Sequence, residues 1–232
     1  MIATLCLIII ISIVIQIAMT NATFNISEVI MKNLIMKYNL EIFSTIVLLV
    51  VGVIVLFFPD ISYIRKIALA YAILAILHEF EEKRTPGGFF ELMAKKFELP
   101  ENTNLDLASF FVICYWLVLI VLPFVFDSME IFLVMPIALG IFETFIHTAG
   151  IWIHNMKKPY TPGLASAWPM GALSVYSIYF LNTYTDISGT DYLIGVILMV
   201  VGFLFLERGT LYAANMTFKD LRNKITNTLN SK

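Results

Sequence analysis

The sequence predicts an all-α protein, a polytopic transmembrane helix bundle of about seven spans. Three observations predict it. Of 232 residues, 59% are hydrophobic and only 14% are charged, against roughly 25% charged in soluble domains. The apolar residues fall in runs near the length of about 20 that a membrane helix needs. Lys and Arg collect in alternate connections between those runs, as they do on the cytoplasmic side of membrane proteins.

Taken in order, the expected spans are residues 2–19, 40–58, 67–77, 105–126, 131–153, 164–184 and 192–206. The first could instead be a cleaved signal, which would leave six. Residues 1–4 carry no positive charge, and the run exceeds the about 7–15 residues of a signal's apolar region, so a membrane helix is expected. The third run is short and is expected to begin near Ile61, with Arg65 and Lys66 snorkelling to the interface. Cys6 and Cys114 lie inside apolar runs without metal-ligand spacing and read as packing residues. This divides the chain into residues 1–39, a membrane helix and connector; 40–207, the core; and 208–232, a cytoplasmic amphipathic tail.

With seven spans, Lys32, Lys37, Lys83, Arg84, Lys95, Lys96, Lys157, Lys158, Arg208, Lys219, Arg222, Lys224 and Lys232 share one side. Only Arg65 and Lys66 of the 15 basic residues lie on the other. The expected orientation has the N-terminus outside and the C-terminus in the cytoplasm.

All three histidines sit near carboxylates on that cytoplasmic side. His78, Glu79, Glu81 and Glu82 end the third run; Glu143 and His147 are in the cytoplasmic half of the fifth; His154 follows. Ionisable groups in apolar surroundings are costly unless paired or bound to a metal. Helical spacing places His78, Glu81 and Glu82 on one face and points Glu79 elsewhere, while Glu143 and His147 are one turn apart. His154 falls on nearly the same face if that helix continues. Candidate metal ligands are therefore His78, Glu81, Glu82, Glu143, His147 and His154, with Glu143 and Glu82 as candidate catalytic carboxylates. The donor set suits a divalent transition metal, zinc first and iron or manganese as alternatives. The plainer alternative is an ordinary charged helix end at the headgroups, to which Glu79, Lys83 and Arg84 are assigned.

His78-x-x-Glu81-Glu82, then Glu143-x-x-x-His147, His154 and Tyr160-x-Pro162-Gly163, resemble the HXXEE-motif family of bacterial multi-helix membrane proteins, over roughly residues 40–206. The resemblance implies that His78, Glu81 and Glu82 are the signature. It implies no substrate, because the family has no established activity. The Glu-Glu-x-x-x-Arg pattern of prenyl-protein proteases is not matched, since no arginine holds its position.

Phe89, Phe90, Leu92, Met93 and Phe97 alternate with Glu91, Lys95 and Lys96 after Pro86-Gly87-Gly88. This reads as a short interfacial helix, a lid over the site or a plain connector. Residues 211–229 carry Leu211, Ala214, Phe218, Leu221, Ile225 and Leu229 on one face, as a surface helix. There is no phosphate loop, dinucleotide fingerprint or nucleophile elbow. A net charge of −2 gives no footprint for nucleic acid.

Two functions follow. One is a metal-dependent membrane hydrolase acting on a lipid or membrane-associated peptide from within the bilayer, with an oxidative two-metal enzyme as a variant. The other is a proton- or ion-coupled transporter or a non-catalytic membrane partner, since intramembrane Glu and His also form proton relays. Clustering of the ionisable groups at one side favours the first.

Overall fold

The computed structural model describes residues 33–153 and 156–230. The expected span at 2–19 and the candidate ligand His154 lie outside the described residues. Among the described residues these helices follow one another: α1 Asn39–Phe57, α2 Tyr63–Lys83, α3 Phe89–Lys96, α4 Leu105–Val125, α5 Ile131–Ile153, α6 Leu164–Tyr184, α7 Gly189–Ala213 and α8 Phe218–Asn230. No strand occurs among the described residues.

Among the described residues five helices, α1, α4, α5, α6 and α7, are long and apolar enough to cross a membrane. Helix α2 is 21 residues long, equal to α4 and α6, but concentrates ionisable side chains from His78 to Lys83. Its start is fixed by Ser62, whose hydroxyl accepts from Arg65 N at 3.3 Å. Arg65 itself does not snorkel freely. It donates to Asp127 at 2.9 Å and to the Phe124 carbonyl at 3.0 Å, tying the start of α2 to the end of α4.

Helix α5 packs on α6, α7 and α4, while α2 packs on α4 and α6, and α1 leans on α2 and α4. Tyr71, Trp116, Leu119, Leu133, Leu139, Met170 and Leu181 are buried at the centre. Between α5 and α6 the backbones come close: a Cβ at Gly140 would strike Ser174, and one at Gly171 would strike Thr144. Small residues and interhelical hydrogen bonds suit a setting where lipid removes the hydrophobic drive between helices. Tyr71 and Ser174 hydroxyls meet at 2.9 Å, and Thr144 donates to the Ala167 carbonyl at 2.8 Å.

One end of the bundle gathers the polar connections. Arg84 pairs with Glu41 at 2.7 Å, Asn104 N donates to Ala213 O at 2.9 Å, and Lys224 donates to Glu98 O at 2.6 Å. The ends of α2, α5 and α7 meet the starts of α1, α4 and α6 there, so the basic segments at 83–84, 95–96 and 157–158 share that end.

The tail differs from the expected single surface helix. Helix α7 runs unbroken through 207 to Ala213, and the chain turns at Asn215, where φ is 54°. Asparagine tolerates this left-handed conformation better than most residues. Thr217 and Asp220 then cap α8 reciprocally, with Thr217 N donating to Asp220 at 2.8 Å and Asp220 N to Thr217 at 3.3 Å. The expected apolar face is therefore divided: Leu211, Ala214 and Met216 are buried with Leu99 and Leu221 packed on them, whereas Phe218 is exposed.

Candidate metal centre

The rotation of α2 sorts its acidic side chains onto three neighbours. At about 100° per residue, Glu82 lies about 40° to one side of His78 and Glu81 about 60° to the other, with Glu79 about 100° away. His78 and Glu82 face α5. Glu81 faces the start of α6, and Glu79 faces α4.

Four side chains converge on α5. Nε2 of His147 is 3.1 Å from Glu82 Oε1 and 3.4 Å from Glu143 Oε2. Nε2 of His78 is 3.5 Å from Glu82 Oε1 and 3.7 Å from Glu143 Oε2. The two imidazoles stand nearly perpendicular, at 85°, with centroids 4.9 Å apart. His78, His147 and Glu82 are buried, and the Glu143 side chain keeps 18% exposure. His147 Nε2 is buried, and its partners among the described residues are the Glu82 and Glu143 carboxylates.

His78, Glu143 and His147 could hold a metal ion, for one ligand atom from each lies within 4.8 Å of the others. Nitrogen and oxygen ligands at 2.0–2.1 Å in a tetrahedral zinc site are separated from one another by about 3.3 Å. The four Nε2-to-carboxylate distances, 3.1 to 3.7 Å, bracket that separation. The residues thus fit such a group both in donor type and in spacing.

Glu81 is directed away from this point. Its Oε1 accepts from Tyr160 OH at 2.6 Å and Ala165 N at 2.9 Å. Its Oε2 accepts from Ser166 N at 2.7 Å and Ser166 Oγ at 2.5 Å. The carboxylate thereby caps the N-terminus of α6, whose own N-cap residue, Gly163, has no side chain to do so. Burial and the adjacent Glu81 carboxylate push the Tyr160 phenol above its ordinary pKa.

The loop before α6 also shapes the second imidazole. Thr161 Oγ1 donates to His147 O at 2.8 Å and lies 3.5 Å from His147 Nδ1. Gly163 has φ +95°, and a Cβ there would sit 2.5 Å from His147 Cε1. Both the conformation and the space require glycine. The Tyr160-x-Pro162-Gly163 turn is thus pressed against the cluster.

Glu79 and Lys83, expected at an ordinary charged helix end, form an ion pair with side chains 2% and 5% exposed. Trp116 Nε1 donates to Glu79 at 2.8 Å. Lys83 also lies over the Phe90 ring at 5.5 Å, and the neighbouring Phe89 ring stands 5.3 Å from that of His147. Helix α3 is set over the centre by these two rings, entering through Gly88 at φ 93°. Ser166, Thr161, Trp116 and the buried state of Lys83 escaped the sequence reading. Only the indole of Trp116 carried a signal, since a buried N–H needs an acceptor.

Residues 68–180 match the model of a family described as "Protein of unknown function with HXXEE motif". The match is narrower than residues 40–206, and it contains His78, Glu81, Glu82, Glu143, His147 and Ser166. No curated protein and no solved structure matches the chain.

Proposed function

We propose that this protein is an integral membrane enzyme that holds one divalent transition metal, zinc by its donor set, and hydrolyses a lipid or a membrane-associated peptide. The observation that carries the reading is the convergence of two imidazole Nε2 atoms and two carboxylates at metal-ligand spacing. His78, His147 and Glu82 are the ligands in this reading, because Glu82 lies nearer to both rings and is the more buried carboxylate. A set of three protein ligands with an open position is the pattern of catalytic zinc. When bound, the metal supplies Lewis acidity and lowers the pKa of water.

The remaining chemistry belongs to the chain. Glu143 keeps its partial exposure on a helix whose neighbouring Ile141, Phe142 and Phe145 are exposed, so its carboxylate meets substrate entering from lipid. Glu143 Oε2 accepts the proton of the attacking water and returns it to the leaving group. Phe89 shields the face of His147 and keeps bulk water from that side. The charge distribution supports a seven-span bundle with its N-terminus outside and with the centre toward the cytoplasmic leaflet.

Glu143→Gln preserves shape and removes the base. Purified protein in lipid bilayers, challenged with ester- and amide-linked lipids and membrane peptides, is expected to show chelator-sensitive hydrolysis. The variant should retain the metal and lose about 10²–10⁴-fold in turnover. Parental turnover in the variant would reduce Glu143 to a packing residue.

A further inference from the structure

We propose that Glu81 and Ser166 are positioning residues that fix which nitrogen His78 presents to the centre, a role that rests on His78 being a ligand. The signature glutamate Glu81 then acts on the metal through another residue and does not touch it.

An ionised carboxylate is acceptor-only, with about four lone-pair sites. Glu81 receives four donors: Tyr160 OH, Ala165 N, Ser166 N and Ser166 Oγ. It has nothing left to offer the centre. It also sits where α6 favours negative charge, at the positive end of the helix dipole.

The Ser166 hydroxyl has one hydrogen. Glu81 Oε2 at 2.5 Å and Gly163 O at 3.1 Å both claim it, and either leaves the oxygen free to accept. His78 Nδ1 lies 3.0 Å from that oxygen. Since the serine hydrogen is committed to an acceptor, the hydrogen of this contact must come from Nδ1. His78 is thereby assigned the Nδ1–H form, with Nε2 turned to Glu82 and Glu143. The assignment follows from the network. Metal-binding histidines commonly donate their second ring N–H in this way, which sets tautomer and ring orientation.

The same loop repeats the device on the other ring. The Thr161 hydroxyl hydrogen goes to His147 O, so its oxygen faces Nδ1 of His147 as an acceptor. The segment from Tyr160 to Ser166 therefore turns both Nε2 atoms to one point.

The test uses full-length protein with 15N-labelled histidine, in the parent, Ser166→Ala and Ser166→Thr. Ser166→Ala keeps Glu81 bonded to the backbone N–H groups of 165 and 166, so the α6 cap persists. In metal-free parent, NMR is expected to place a proton on His78 Nδ1, and Ser166→Ala should shift the proton balance toward Nε2. Zinc affinity by calorimetry should fall about 10–100-fold in Ser166→Ala and return in Ser166→Thr, with helical content unchanged throughout. A bare Nδ1 in the parent, or a Ser166→Ala variant with the parent's proton distribution and zinc affinity, would overturn the proposal. Zinc failing to bind a parent with protonated Nδ1 sinks the metal reading, and with it the metal-positioning role, but leaves the Nδ1–H assignment standing, so the two failures remain distinguishable.

Discussion

His147→Ala is expected to lose transition-metal affinity by more than the roughly 10–100-fold that removal of an outer partner costs. Its Nε2 makes the two shortest imidazole contacts to the carboxylates of the centre, 3.1 and 3.4 Å. Two carboxylates buried against one ring nitrogen are costly unless they are paired or bound to a metal. Removing the ring also frees the space that Gly163 and Phe89 enclose, so water enters beside the remaining ligands. Calorimetric titration of zinc, iron(II) and manganese into the metal-free variant checks this. Affinity within a few-fold of the parent would show that His147 is only a packing ring.

Lys83→Met should be the most destabilising conservative-volume change on α2. It strands the Glu79 carboxylate, 2% exposed, with the Trp116 indole as its sole described hydrogen-bond donor. Removing one member of a buried pair costs about 3–5 kcal/mol, equivalent to a fall of about 6–20 °C in a protein of this size. The double change Glu79→Gln, Lys83→Met removes both charges while leaving an acceptor for the indole. It should recover most of the loss, because replacing a whole buried pair is often near neutral. Thermal unfolding in detergent separates the cases. Equal midpoints for Lys83→Met and the parent would show that the pair contributes nothing.

Five of the expected spans were legible as apolar runs, and the starts of three helices were marked by Ser62, Asn104 and Ser188, whose side chains accept the first free N–H groups. The pairing of His78 with Glu82, and of Glu143 with His147, followed from one-turn spacing. The division of labour between Glu81 and Glu82 did not. Both are within one turn of His78, and their roles depend on how α2 is rotated against α5 and α6. That rotation is set by Tyr71, Trp116 and Met170 packing between distant segments. Ser166 was hidden for the same reason, being 88 residues from His78. Lys83 looked like a surface charge because sequence shows the end of a helix but not the Phe90 ring that closes over it. The tail was misjudged at one residue, Asn215, whose left-handed backbone interrupts a continuous apolar face.

Metal content of the detergent-purified parent and of a His78→Ala, His147→Ala variant, together with X-ray absorption on the metal, decides whether the His and Glu cluster is a metal centre. Near-stoichiometric zinc, iron or manganese is expected in the parent, with a nitrogen and oxygen shell at about 2.0–2.1 Å if the metal is zinc, and none in the variant. A folded parent that neither retains nor takes up any of these metals would contradict the metal reading, and would leave the His and Glu cluster as an ionic contact between α2 and α5.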